Sequence, residues 1–122
     1  MSTITIGCLI VGENPYENAF AVEIGSTKLV SFFRDAIKEK IDDNVKARDL
    51  KLWRVNIPIN VQNKKFIRLV NTEINVNIKE ELGGVELLPL SEITKYFPYA
   101  PDYEHIHIII QRPVETNNIY KI

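Results

Sequence analysis

A single cysteine, Cys8, leaves this chain without an internal disulfide. Cys8 sits among apolar residues in TITIGCLIVG, where a small buried hydrophobe is the expected role. An apolar first strand offers it neither the base nor the open site that a thiol nucleophile needs. No apolar run is long enough to span a bilayer. The opening MSTITIGCLIVG lacks a basic n-region, so no signal peptide is written there, and no Asn-x-Ser/Thr sequon occurs. Charge of one sign is lacking too: a net charge of -1 points by itself to neither a nucleic acid nor a membrane. Gly83–Gly84 is not a phosphate loop, because no strand leads directly into it and no Gly-Lys-Ser/Thr follows. It reads as a helix stop or a turn.

What remains is one domain of ordinary composition, large enough for a modest core. Ile4, Ile6, Cys8 and Ile10 alternate in a first strand, and Phe20, Val22 and Ile24 alternate in a second. Gly12, Asn14 and Pro15 mark the loop between them, so the pair reads as a hairpin. The period then changes. Leu29, Phe33, Ala36, Ile37 and Ile41 recur at helical spacing, with Ser26 or Thr27 as the expected cap and an end near Asp42–Asn44. LKLWRVNI is a third strand, stopped or edged by Pro58. The segment Asn60–Asn77 reads as a further strand or ragged hairpin arm, and IKEELGG as a helical turn. PLSEITKYFP predicts a short helix capped by Ser91, and EHIHIIIQRP a β-branched strand. That last strand is apolar on both parities, which fits a central place in parallel beside the first strand. The order is that of an α+β β-grasp, or ubiquitin-like, domain with a mixed sheet packed on one long helix. The domain spans 1–113, and 114–122 is a tail or linker.

Three groups of residues are candidates for function. Leu50 and Leu52 share one parity while Lys51, Trp53 and Val55 share the other. If the leucines face the helix, Trp53 lies on the opposite face of the sheet, and a tryptophan beside an arginine, here Arg54, is a typical binding anchor. Packing under a neighbouring segment is the competing role. From Lys46 to Arg68 seven basic residues and one acid give +6. Such a band with Trp53 and Phe66 could track a nucleic-acid backbone, meet an acidic protein patch, or simply discourage edge-to-edge strand pairing. The last is favoured, since no base-reading motif is present. His105 and His107, two apart on a strand, share a face. Two ligands do not make a metal site and no third is placed by the sequence, so no metal and no cofactor is expected. His107 is instead a candidate partner-contact residue whose imidazole titrates near neutrality.

The stretch CLIVGENPYENAFAVEIGSTKLVSFFRDAIKEK resembles the opening of the N-terminal header module of Crinkler-type effectors, in its fungal form. ARDLKLWRVNIP, TEINVNIKEELGGVELLPLSEITKYFP and EHIHIIIQRP are similar to later parts of the same module, so the resemblance runs from Ile4 to Pro113. In oomycete members the third-strand region carries a Leu-Phe-Leu-Ala-Lys motif linked to delivery into host cells. Here its counterpart is Leu50-Lys51-Leu52-Trp53-Arg54, which keeps the two leucines and lacks the Ala-Lys. The resemblance implies a ubiquitin-like module, standing ahead of variable C-terminal domains that carry the activity. It also implies a protein exported by an unrecognised route that acts in the host cell, commonly the nucleus.

The expected function is therefore a non-enzymatic module for protein–protein interaction: host-factor binding, self-association as a homodimer, or presentation of a C-terminal effector domain. Trp53, Arg54, Lys51 and His107 are the expected contact residues. The alternative is a nucleic-acid-binding module using the basic band. No membrane partner is expected.

Overall fold

The computed structural model describes residues 3–41, 45–59 and 78–112. The arm expected within Asn60–Asn77, the helix end expected at Asp42–Asn44 and the tail 114–122 lie outside them.

The alternating apolar residues form β1 (Thr3–Ile10) and β2 (Phe20–Gly25), an antiparallel pair in which Ile6 faces Val22. Their connection holds a single helical turn, α1 (Pro15–Asn18). Asn14 caps it, its Oδ1 accepting from the Tyr16 and Glu17 amides at 2.8 and 3.3 Å, with Pro15 in the first position where no amide hydrogen is needed. Helix α2 (Val30–Ile41) follows, then a 3-10 turn (Ala47–Asp49), β3 (Lys51–Pro58), α3 (Ile78–Glu81), β4 (Val85–Glu86), α4 (Ile93–Tyr96) and β5 (His105–Gln111). The sheet order is β2-β1-β5-β3-β4. β5 runs parallel to β1 and antiparallel to β3, so the late apolar strand is central and the sheet is mixed. The class is α+β and its form that of a β-grasp. α2, with twelve residues, is of average length rather than long, and the other three helices among the described residues are single turns.

The centre of the sheet is buried on both faces, while Thr3, Thr5, Ala21 and Glu23 leave the β1–β2 side exposed on one of them. Phe33 and Ile37 of α2 pack with Ile6, Cys8, Leu50, Leu52, Ile108 and Ile110 on the first face. Ile78 and Leu82 pack with Leu9, Val55, Ile57, Ile106 and Ile109 on the second. This is why β5 is apolar on both parities. The β3–β5 register shifts between Arg54 and Ile57, and Ile106 and Ile109, three apart, both turn to the second face.

The helix starts differ from expectation. α2 begins at Val30, beyond Ser26 and Thr27, and Glu92 rather than Ser91 occupies the cap position of α4, without a side-chain capping bond. The backbone does this work instead. The Val30 and Ser31 amides donate to the carbonyls of Ser91 and Pro89 at 2.8 and 3.0 Å. The Ile93 and Thr94 amides donate to the carbonyls of Lys28 and Ser26 at 2.9 and 3.1 Å. The two helix N-termini thus satisfy each other through the main chain of their leading segments.

Candidate functional site

Strand alternation turns Leu50 and Leu52 to α2, each 1% exposed, so the two leucines shared with the family motif are core residues. Trp53 turns the opposite way, as expected, but that face is not open. Its ring packs at the margin of the second core, beside the turn that ends α3. Gly83 takes the left-handed conformation there, with φ 67°, and the Gly84 amide returns to the Ile78 carbonyl at 3.1 Å. A Cβ on Gly84 would stand 3.3 Å from Cβ and Cε3 of Trp53. The indole Nε1 donates to Gln111 Oε1 at 3.1 Å. Trp53 is therefore half-buried and anchored at both ends, while Lys51, on its face and paired with Gln111, is exposed.

Arg54 and His107 do not join this surface. Arg54 points to the other face, where its Nη1 donates to the Tyr96 carbonyl at the end of α4 at 3.3 Å. His107 is 6% exposed, and its Nε2 donates to the Asp102 carbonyl at 3.0 Å. Its ring stacks on His105 at 5.6 Å and meets Phe97 edge-on at 6.1 Å. His105 Nδ1 is hydrogen-bonded to Asn56 Oδ1. Burial pushes the His107 pKa down from its ordinary 6.5, and the charge of His105 pushes the same way. The carbonyl bond and the carboxylate of Asp102 oppose it. Arg54, Val55, Asn56, Gly83, Tyr96, Phe97 and His107 line a cleft of about 350 Å³.

The four expected contact residues thus fall into two places: Lys51 with Trp53, and Arg54 with His107. Sequence reasoning missed Asn56, Tyr96 and Phe97, which complete the cleft, and Gln111, which holds the indole. The aromatic pair before Pro98 was the only signal for them. Of the basic band, Lys46, Arg48 and Lys51 are exposed, and Lys64, Lys65 and Arg68 lie outside the described residues. Among the described residues no three His, Cys, Asp or Glu side chains cluster as metal ligands, and no helix is long and apolar enough to cross a membrane. Burial pushes the Cys8 thiol far above its usual range, so it stays protonated.

Residues 4–111 match the family model of the Crinkler effector protein N-terminal domain. The chain belongs to this family. It is 38% identical over 117 residues to Crinkler effector protein 1 of the fungus Rhizophagus irregularis. That match covers 93% of this chain but only 22% of the relative, so the Crinkler domain here corresponds to about a fifth of that protein's length. No solved structure matches. In Crinkler terms, the third-strand stretch contributes Leu50 and Leu52 to the core and offers Lys51 and Trp53 outward.

Proposed function

We propose that this Crinkler N-terminal domain is a non-enzymatic interaction module that acts in host cells, the nucleus included. It binds a host protein, pairs with a second copy, or presents a C-terminal effector domain. The observation that carries this reading is Trp53. A half-exposed indole is held rigid by Gln111 and Gly84 and stands beside the exposed cation Lys51. A rigid aromatic loses little conformational freedom on binding and supplies much contact area. The relative's far greater length agrees with a module that serves a larger protein.

Proximity labelling in host cells tests it, comparing wild type with Lys51→Glu and Trp53→Phe. Both variants keep the core leucines. Proteins labelled by wild type and lost in both variants, then bound by the purified domain, are the expected result. Light scattering of the same proteins reads self-association. An unchanged labelled set together with a monomer at high concentration would sink the reading.

A further inference from the structure

We propose that the cleft between β3, α4 and β5 is a carboxylate-binding site that receives a glutamate side chain from an acidic segment of the partner protein. This deepens the interaction reading and rests on it. Arg54 brings a guanidinium to the cleft, and its bond to the Tyr96 carbonyl fixes where that group points. Asn56 adds an amide, and His107 an imidazole that is already held by the Asp102 carbonyl. None of the lining residues among the described residues carries a carboxylate. Val55, Tyr96 and Phe97 line the cleft beside these polar groups, and apolar residues in the lining suit the two methylenes of a glutamate better than a bare anion. Among the described lining residues Arg54 is the one permanent cation. One guanidinium matches one monoanion, and forked donation by a guanidinium to a carboxylate is a strong, directional contact. A phosphodiester backbone would instead call for a row of cations along the groove.

The probe is hexaglutamate, titrated into the isotopically labelled domain and followed by amide and side-chain NMR shifts. Hexaglutamine, inorganic phosphate and a single-stranded oligonucleotide are run beside it. Hexaglutamate is expected to shift the Asn56 side-chain amide and the amides of Gly83 and His107, and hexaglutamine is not. Arg54→Gln is expected to weaken binding about fivefold or more, as is Asn56→Asp, which sets a like charge at the cleft mouth without changing size. Lys40→Gln, a lysine that lines a separate groove against β2, is expected to leave affinity within about twofold. The proposal is overturned if hexaglutamine shifts the same signals, if Arg54→Gln and Asn56→Asp bind like wild type, or if the oligonucleotide or phosphate binds more tightly. Loss of labelled host partners in Lys51→Glu alongside any of these results would leave the interaction reading standing and remove the cleft from it.

Discussion

Trp53 and Gln111 are joined side chain to side chain, indole Nε1 to amide Oε1, across the diagonal of the β3–β5 pair. Lys51 stands opposite Gln111 and Trp53 opposite Ile109, so the bond pins the register at the end of both strands. A change at Trp53 is therefore a change in the fold as well as in the surface. Trp53→Ala is expected to cost about 2–4 kcal/mol in urea unfolding. Trp53→Phe keeps most of the contact and loses the bond, costing roughly 1 kcal/mol. A cost near zero for Trp53→Ala would mean that the indole is not packed.

Gly84 tests the same contact from the opposite side. A methyl there would meet Ile78 Cγ2 at 2.8 Å and the Trp53 ring at 3.3 Å. Gly84→Ala is expected to push the α3 turn off the indole, at a cost of about 1–3 kcal/mol. Trp53 is the sole tryptophan, so its emission reports the event directly. A red shift in the folded variant is expected. An unchanged spectrum and midpoint would show that the turn yields freely.

The first half of the sheet was legible because each strand alternates cleanly and the helix period breaks after Gly25. The central, parallel place of β5 was legible from Ile106 to Ile110, since only a strand covered on both faces tolerates apolar residues on both parities. The cover on the second face was not. Among the described residues it comes from Ile78, which opens a four-residue helix too short to show a period, and from Leu82 just after that helix. The division of Lys51 and Trp53 from Arg54 and His107 was half legible. Strand parity already separated Arg54 from Trp53, but the place of His107 depends on the register shift opposite it, and such shifts leave no pattern in one strand alone. The four bonds that join the starts of α2 and α4 run between main-chain groups, which every sequence has.

Gly7 marks where β1 and β5 approach too closely for any side chain. A Cβ at Gly7 would collide with the carbonyl oxygen of His105. Gly7→Ala is expected to destabilise the domain by about 1–3 kcal/mol and to disturb the His105–His107 stack first. Histidine ring resonances would register that disturbance. A variant as stable as wild type, with unmoved histidine signals, would place the strands farther apart.

His107 couples the stability of the fold to pH. His107 is buried neutral, so its folded pKa lies below the ordinary 6.5 of the unfolded chain. In acid the unfolded chain then holds more protons than the folded one, and stability must rise with pH through that interval. The contribution is complete above about pH 6.5 and is lost as the pH falls through the lowered folded value. His105 stacks on the same imidazole and adds to the cost of charging it, while Asp102 offsets part of it. The urea midpoint of wild type is expected to drop between about pH 7 and pH 5. His107→Gln, which keeps a donor for the Asp102 carbonyl and cannot charge, is expected to flatten that drop while lowering stability at neutral pH. Parallel acid losses in both proteins would assign the effect to other groups and leave His107 as plain packing.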